Sequence, residues 1–432
     1  IISDHIDEAK NLVRQYQTWF GSGNYFIELQ HNLVYGDRER NRRLYSLAKE
    51  LEVPVVATGN VHYHIRDRHR LQDCLVSIKA CKSLEASHRE RRPNSEFYLR
   101  PVSEIETLFS PEAVANTIEI AKRCTFNLAG EVGYTLPDYP APEGHTPESY
   151  LEKLCLEAAV RRYGSVTAEV QARLNEEFQL IEKHRLAGFL LLYHDVIKLG
   201  REVMIELGLS DPQIPLEENP PGRGRGSSVS LLIGYLIGLS HIDPLKYKLS
   251  LERFLPEDAL GYVPDIDLDF PRRIREELIL KTHKKWGWHH AALTGTIGTY
   301  QIKGAVRDLG KALSLPTEEV DQLAKQADWG SAKKLESQMQ KSPRFRDKIA
   351  TPVWRDLISL SAELDGFPKY LGQHPGGMII SSTPLTDMVP VQRAATPGRY
   401  VCQWDKDSVD DAGCVKIDFL ALGALSQMQD AV

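Results

Sequence analysis

An alternating run of acidic and apolar residues limits most strongly what this chain can fold into. The run Pro264–Phe270 has the sequence PDIDLDF, which is the pattern of a strand with one buried face. Asp265, Asp267 and Asp269 would point to one side of that strand. Carboxylates this close repel each other, and burial raises their pKa unless a cation lies between them. Oxygen ligands suit Mg²⁺ or Mn²⁺, so the run predicts a divalent-metal site; a solvated strand edge is the alternative.

A glycine-rich loop precedes this strand by about 40 residues. It spans 221–228 with the sequence PGRGRGSS and leads into an apolar segment that we predict to be a helix from Val229. Backbone N–H groups in such a loop, and the positive end of the helix dipole, favour an anion. Arg223 and Arg225 add bidentate phosphate donors. The loop is not a Walker A motif, because no Lys-Ser or Lys-Thr closes it. A flexible linker with solvated arginines remains an alternative.

A second strand-like run near the end of the chain also carries an acid. In Val415–Leu420 the period of two places Lys416 and Asp418 on one face and the apolar residues on the other. Lys416 and Asp418 could form a simple ion pair. Alternatively, Asp418 joins the acids of the first strand as a third metal-binding carboxylate, and Lys416 neutralises a phosphate.

Two smaller features carry further candidate residues. His374 begins an HPGG sequence just before the predicted strand at 378–380, where it either contacts a phosphate or caps a turn. Lys303 and Arg307 are four residues apart on a predicted helix, so they share one face. That face is either solvated or follows a nucleic-acid backbone.

Composition indicates an ordinary globular protein. The 432 residues are 42% hydrophobic and 26% charged, which excludes a wholly disordered, collagen-like or membrane-embedded chain and predicts two to four domains. The net charge of −6 argues against a uniformly basic nucleic-acid coat. Six scattered cysteines without a C-x-x-C pair predict neither a zinc site nor a disulfide framework and are typical of a reducing interior.

Hydrophobic periodicity predicts an alternation of helices and strands at the start of the chain. We expect a helix over 6–20, a strand at 25–29, a helix over 38–51 and a strand at 53–58, which is a β-α-β rhythm typical of a parallel sheet or barrel. The Pro-rich stretch 136–142 predicts a linker. Helices are expected over 147–207 and 300–370, with strands again at 378–381 and 415–420. The chain opens without Met and ends just past a strand-like segment, so we expect it to be part of a longer protein.

The motifs, taken in order, resemble the bacterial C-family replicative DNA polymerases, the family of the DNA polymerase III alpha subunit. The resemblance extends from about residue 20 to the end of the chain. The segment ATGNVHY at 57–63 resembles the closing strand of that family's N-terminal PHP (polymerase and histidinol phosphatase) domain. The matching segments are GRGS at 224–227, PDIDLDF at 264–270, HPGG at 374–377 and VKIDFL at 415–420. The segments QH at 30–31, RLQD at 70–73 and QWDKD at 403–407 are more similar to the error-prone, damage-response branch.

The resemblance implies a multidomain fold of α/β and α+β type. Residues 1–134 would be the C-terminal part of a PHP (β/α) barrel. A nucleotidyltransferase-type palm would occupy 135–296 and resume at 374–423, with a helical thumb at 297–373 between its two parts. The fingers would begin at 424–432. A chain without complete fingers is not expected to extend a primer by itself.

The resemblance also assigns roles to the candidate residues. It implies a DNA-directed DNA polymerase that transfers a nucleotide from a dNTP to a primer 3′-hydroxyl with two Mg²⁺ ions, Mn²⁺ being the alternative. In this assignment the catalytic groups, which are also the metal ligands, are Asp265, Asp267 and Asp418. The residues that bind the triphosphate are Arg225, Gly226, Ser227, Arg253, Lys416 and His374. The residues of the thumb that contact DNA are Lys303 and Arg307.

Two departures from the family pattern bear on function. Asn60 stands where the closing PHP strand usually carries an acid, so His62 alone remains of that metal-ligand pair, and we expect no metal-dependent phosphoesterase activity. The stretch Leu209–Pro221 is longer than the usual lead into the phosphate loop. A PHP-type phosphoesterase and a non-catalytic DNA-binding or assembly module are the rival functions.

The expected partners follow from the resemblance. They are primer-template DNA, dNTPs, the sliding clamp and other subunits of a polymerase holoenzyme or damage response, and no membrane. We expect the protein in the bacterial cytoplasm, associated with the nucleoid, in replication or error-prone repair synthesis.

Overall fold

The chain folds into two compact units, and each unit is built from two separate stretches of sequence. The structure, a computed structural model, describes residues 5–131, 138–251, 266–412, 414, 416–422, 427 and 431. The first unit combines Ile1–Phe126 with Thr299–Lys369, and the second combines Asn127–Gly298 with Tyr370–Val432.

The described part of the chain contains both helices and strands, in agreement with the predicted mixed α/β class. The helices are α1 (Ile6–Phe20), α2 (Asp37–Glu50), α3 (His69–Lys79), α4 (Val102–Leu108), α5 (Pro111–Arg123), α6 (Leu128–Glu131), α7 (Pro147–Tyr163), α8 (Ala168–Lys183), α9 (Ala187–Glu206), α10 (Leu232–Leu236), α11 (Arg272–Trp286), α12 (Ile302–Ala312), α13 (Thr317–Gln326), α14 (Leu335–Lys341), α15 (Pro352–Leu364) and α16 (Lys406–Asp411). The strands are β1 (Ile27–Gln30), β2 (Val55–Thr58), β3 (Arg223–Gly224), β4 (Asp267–Pro271), β5 (Ala291–Thr299), β6 (Pro368–Ile380), β7 (Val391–Arg393), β8 (Tyr400–Cys402) and β9 (Lys416–Leu422).

The first unit begins with the predicted β-α-β arrangement. Strands β1 and β2 pair in parallel with Ile27 opposite Val55, and α2 supplies the crossover that parallel strands require. The bounds of α1 match the prediction, and those of the next three elements differ from it by one or two residues. The apolar side chains of Ile27, Leu29 and Val55 are buried and form the centre of this small core.

The second half of the first unit is a helical cluster. Helices α12, α13, α14 and α15 pack around one apolar core that also includes Leu71 and Cys74 of α3. The predicted helical character of 300–370 is therefore confirmed. In addition, the structure unites this stretch with the first 126 residues of the chain, which the sequence does not indicate.

The second unit is organised around a seven-stranded sheet, counted over the described residues. Its strand order is β3-β4-β9-β6-β5-β8-β7. Strands β4 and β9 run parallel, whereas β3 is antiparallel to β4 and β6 is antiparallel to β9. One face of the sheet is covered by α9 and α11, and a large apolar core fills the space between them. Over part of the other face, a smaller core includes Leu385, Val389 and Val409.

Two sequence predictions about local structure are wrong. The HPGG segment lies inside strand β6, not before it. The apolar segment after Val229 is not one continuous helix: a 3₁₀ turn covers Gly226–Ser230, and α10 has only five residues. Gly238, just beyond α10, has a φ of 85°, a left-handed conformation that ends helical structure.

The buried Arg201 helps to hold the segment Leu209–Pro221 in place. The guanidinium of Arg201 donates to the carbonyl oxygens of Asn219 at 2.6 Å, Asp211 at 2.6 Å and Ile214 at 2.9 Å. These bonds tie three backbone carbonyl groups of the loop to α9. The extra length is thus an ordered extension of the loop that leads to the phosphate-binding candidate. No helix among the described residues is long and apolar enough to cross a membrane.

Candidate active site on the seven-stranded sheet

The two acidic strands lie side by side, and their register aligns two of the predicted carboxylates. Asp267 of β4 stands directly opposite Asp418 of β9. Aligned residues of neighbouring strands lie on the same face of a sheet, so the two acids share that face, together with Asp269 two residues further along β4. Asp418 is 8% exposed and Asp269 is 3% exposed. Asp265, the third predicted ligand, lies outside the described residues.

The opposite face of the same strands is fully apolar. Leu268, Phe270, Ile417 and Phe419 are completely buried, and the rings of Phe270 and Phe419 meet edge to face with centroids 5.9 Å apart. This burial fixes the register, because a slip by one residue would turn every apolar side chain outward. The core therefore holds the acids on the other face.

A glycine on β6 allows this strand to pack closely against Asp418. Gly377 of β6 is aligned with Asp418, and a Cβ atom at this position would lie 2.7 Å from Thr294 Oγ1 and 3.0 Å from Asp418 Oδ1. Any larger residue would fill the space next to the carboxylate. Thr294 Oγ1 donates to the carbonyl oxygen of Gly377 at 3.3 Å, which holds β5 and β6 together at this level.

Arg225 bridges the acids of β4 from the adjacent loop. Its backbone N–H donates to the Asp267 carbonyl oxygen at 3.0 Å. In the guanidinium, Nε lies 2.7 Å from Asp269 Oδ2 and Nη2 lies 3.4 Å from Asp267 Oδ2. Burial raises the pKa of the Asp269 carboxyl, Arg225 opposes that effect, and the neighbouring charge of Asp267 adds to it.

The acids fit a divalent cation, although the described residues alone do not complete a site. Asp269 Oδ1 is buried and has no hydrogen-bond partner among the described residues. Carboxylate oxygens are the ligands that Mg²⁺ and Mn²⁺ prefer. Within the described ranges no group of three His, Cys, Asp or Glu side chains is placed to hold a metal, and Asp265 lies outside these ranges.

The helix part of the phosphate-loop prediction is wrong, because a buried acid already occupies the N-terminus of α10. The backbone N–H groups of Leu232 and Ile233 donate to the two carboxylate oxygens of Glu177, each at 2.8 Å. Arg173 Nε pairs with the same carboxylate at 2.8 Å. These N–H groups are therefore not available to a phosphate, and α10 is too short to present a substantial dipole.

Glu177 is a residue that the sequence interpretation missed, yet the sequence does carry a signal for it. Buried positions of α8 follow the helical period at Val170, Leu174, Glu177 and Ile181. An acid within such an apolar stripe is costly unless it is paired. Its presence there predicts a buried partner, and the structure supplies three donors.

The remaining phosphate-loop candidates differ in how far the structure describes them. Gly224 allows a close backbone contact, because a Cβ atom there would lie 2.6 Å from the Leu239 carbonyl oxygen. Gly226 and Ser227 lie in the 3₁₀ turn, and Lys416 is the first residue of β9. Arg253 lies outside the described residues.

His374 lies beside the acids and bonds to its own strand. Its Nδ1 accepts the backbone N–H groups of Gly376 and Gly377, which leaves its proton on Nε2. The same Nδ1 is 3.9 Å from Asp418 Oδ1. These bonds lie within β6 and not at a turn, and a contact of His374 to phosphate stays a prediction.

The candidates in the first unit have partners there. On α12, Lys303 Nζ lies 5.1 Å from the centroid of the exposed Trp329 ring. Arg307 Nε is 3.8 Å from Asp321 Oδ1. Both are surface contacts of little strength, which leaves the cations available to an anionic partner.

His62 does not fit a metal ligand in this structure. Its Nε2 lies 2.6 Å from Arg92 Nη2 and 3.2 Å from Asn60 Oδ1. Burial and the Arg92 charge lower the pKa of the imidazole, so Nε2 accepts from the guanidinium. A cation already occupies the position at which a metal would bind.

The aligned acids and the arginine loop lie in the part of the chain that matches a known protein family. The family described as bacterial DNA polymerase III alpha NTPase domain matches residues 149–421, which include β4, Asp418 of β9 and the loop between β3 and α10. The chain belongs to this family of bacterial DNA polymerases.

Three similar relatives carry the name error-prone DNA polymerase. The chain is 33% identical to the enzyme of Symbiobacterium thermophilum over 100% of this chain and 38% of that protein. It is 34% identical to the enzyme of Pseudomonas aeruginosa over 99% of this chain and 39% of that protein. The enzyme of Rhodopirellula baltica is also 34% identical, over 98% of this chain and 36% of that protein. The chain thus spans less than two fifths of the length of these relatives.

Proposed function

We propose that the second unit carries the nucleotidyl-transfer centre of a template-directed, error-prone DNA polymerase, with Asp267, Asp418 and Asp265 as its acidic residues. The alignment of Asp267 with Asp418 across β4 and β9 carries this proposal. These positions are far apart in the sequence, and an ion pair between Asp418 and Lys416 alone would not require the alignment. Family membership supports the same function.

The residues of the chain would position the reactants and balance their charge. Asp267 and Asp418 would hold divalent cations, Mg²⁺ or Mn²⁺. When bound, two such ions lower the pKa of an attacking hydroxyl and stabilise charge on the leaving pyrophosphate. Arg225 would donate to the triphosphate, with Lys416, Arg253 and the loop backbone beside it. A nucleophilic side chain is not needed, because phosphoryl transfer depends mainly on positioning and electrostatics.

The domain layout and the partners belong to the same proposal. Residues 135–296 and 374–423 would form the palm, 297–373 the thumb, 424–432 the start of the fingers and 1–134 the C-terminal part of a PHP domain. Lys303 and Arg307 of the thumb would contact the phosphates of primer-template DNA. The substrates would be dNTPs, in the bacterial cytoplasm at the nucleoid. The sliding clamp and damage-response subunits would be partners.

Primer extension by the full-length polymerase that contains this chain tests the proposal. Asp267→Asn and Asp418→Asn should each lower kcat by orders of magnitude. The double variant should be scarcely slower than either single one, because residues that act as a unit are not additive. Primer-template affinity should change little, since it depends on phosphate contacts elsewhere. Turnover near the wild-type rate in Asp418→Asn would leave only a DNA-binding or assembly role for this strand.

A further inference from the structure

Asp269 is a buried acid for which the proposed mechanism has no role. It is the third acid of the alternating run, and at 3% exposed it is the least exposed of the described acids on β4 and β9. Its register partner on β9 is Leu420, so no second acid stands opposite it. Asp269 is also two residues beyond Asp267 on β4, a distance of about 7 Å along the strand. Its position therefore differs from that of the aligned pair.

The contact between Asp269 and Arg225 is the tighter of the two that this arginine makes. Nε, at the inner end of the guanidinium, lies 2.7 Å from Asp269 Oδ2. Nη2, at the outer end, lies 3.4 Å from Asp267 Oδ2. The first contact is a close ion pair, and the second is a long hydrogen bond that Nη2 donates to Asp267. The inner contact anchors the guanidinium and the outer contact is easily exchanged.

The backbone holds both partners in this relation. Arg223 is paired with Asp269 across β3 and β4, and the Arg225 N–H donates to the Asp267 carbonyl oxygen at 3.0 Å. The root of the Arg225 side chain is thus tied to the same strand that carries the acids. About half of the side chain remains exposed, and Nη1 and Nη2 lie at its outer end.

We propose that Asp269 is a positioning residue for Arg225: it holds the guanidinium by Nε so that the Nη groups can leave Asp267 and bind the triphosphate of an incoming nucleotide. The inference rests on the proposed function. A divalent cation on Asp267 would repel the neighbouring guanidinium, so we infer that Arg225 gives up Asp267 when the site is loaded. Because Asp269 holds Nε, the guanidinium can rotate so that its Nη atoms change partner, while Arg225 stays beside β4.

A merely structural role for Asp269 predicts different behaviour, and so does a competitive one. If Asp269 only balances the charge of Arg225 in the fold, its loss should lower stability and leave triphosphate affinity unchanged. If Asp269 competes with the nucleotide for Arg225, its loss should tighten triphosphate binding. Of the three roles, only that of an anchor predicts that loss of Asp269 weakens triphosphate binding.

Binding of inorganic tripolyphosphate, measured by calorimetry without divalent metal, provides a readout that does not depend on catalysis. In the full-length polymerase we expect Asp269→Asn to weaken this binding by roughly tenfold or more, because a guanidinium that is no longer held in place meets its ligand in the wrong geometry. The KM for all four dNTPs should rise by a similar factor with kcat nearly unchanged. Asp269→Glu, which keeps the charge, should recover part of the affinity. In an Arg225→Ala background, Asp269→Asn should add little.

The controls separate failure of this inference from failure of the proposed function. Asp410→Asn removes an exposed acid of α16 in the same unit and should change neither binding nor KM. If Asp267→Asn and Asp418→Asn retain turnover, the proposed function fails. If those two variants are inactive and Arg225→Ala raises KM, but Asp269→Asn binds tripolyphosphate as tightly as wild type or more tightly, the positioning role is wrong. A fall in kcat as large as that of Asp267→Asn would also overturn it. If Asp269→Asn does not fold, Asp269→Glu decides: tripolyphosphate affinity below that of wild type, with kcat nearly unchanged, supports the anchor, and affinity equal to or above that of wild type contradicts it.

Discussion

Removal of the Glu177 carboxylate should destabilise the second unit strongly. Glu177→Ala leaves two backbone N–H groups, of Leu232 and Ile233, without their acceptor, and it leaves Arg173 without its buried partner. Each unsatisfied buried donor costs about 1–3 kcal/mol, and breaking a buried ion pair from one side costs about 3–5 kcal/mol. These costs overlap because the site can relax and admit water. We therefore expect the free energy of unfolding to fall by about 3–5 kcal/mol.

Thermal unfolding and hydrogen exchange measure this effect. For a unit of this size each kcal/mol corresponds to about 2–4 °C in Tm, so Tm should fall by on the order of 10 °C. Exchange protection of the Leu232 and Ile233 amides should fall first, because their acceptor is removed. Glu177→Gln, which keeps one carbonyl oxygen, should lie between the alanine variant and wild type.

The adjacent acid provides a matched control. Glu176 is exposed and lies 3.9 Å from Arg173 Nη1 through its Oε2, so Glu176→Ala should change stability by less than about 1 kcal/mol. If Glu177→Ala costs no more than Glu176→Ala, or if the two amides keep their protection, the buried carboxylate does not hold α10 and the reasoning is refuted.

Three further predictions follow from the geometry. Gly377→Ala would place a Cβ atom 2.7 Å from Thr294 Oγ1 and 3.0 Å from Asp418 Oδ1, so single-turnover extension by the full-length enzyme should slow by at least about tenfold; an unchanged rate would contradict this. Arg225→Ala should raise KM for all four dNTPs alike in steady-state assays, because phosphate contacts carry no base information; a change limited to one base would argue against a phosphate role. Burial lowers the pKa of His283 from its usual 6.5 to about 4, so stability is full above about pH 6.5 and falls as pH drops toward 4. In urea titrations His283→Gln should lose less stability than wild type over that range, and equal losses would exclude His283 as the cause.

The alternation of acids and apolar residues was sufficient to predict which residues of β4 and β9 share a face. Leu268 and Phe419 are buried on one side, and Asp267 and Asp418 lie on the other, as the period of two requires. The alignment of the two acids could not be derived in the same way. Alternation fixes the face of a residue within its own strand, whereas strand neighbours and register depend on packing between distant segments.

The errors at the phosphate loop have a related physical cause. The run of apolar residues after Val229 favours a helix, but burial in the core of the second unit does not require a regular one, and Gly238 adopts a left-handed conformation there. The cap on α10 comes from Glu177, more than 50 residues earlier in the sequence. Local propensity cannot identify a partner at that distance. Likewise, the union of 299–369 with the first 126 residues depends on tertiary packing.

Mn²⁺ binding tests the central claim most directly, because the claim is that Asp267 and Asp418 together hold divalent cations. Paramagnetic resonance titration of this chain measures that binding without primer, nucleotide or turnover. Asp267→Asn and Asp418→Asn should each weaken Mn²⁺ affinity by at least about tenfold, since even residues that only support a metal ligand contribute 10–100-fold. Asp410→Asn, with the same change in charge on exposed α16, should bind as wild type does. If all three variants bind Mn²⁺ with the affinity of the wild-type chain, the aligned acids are not the metal site.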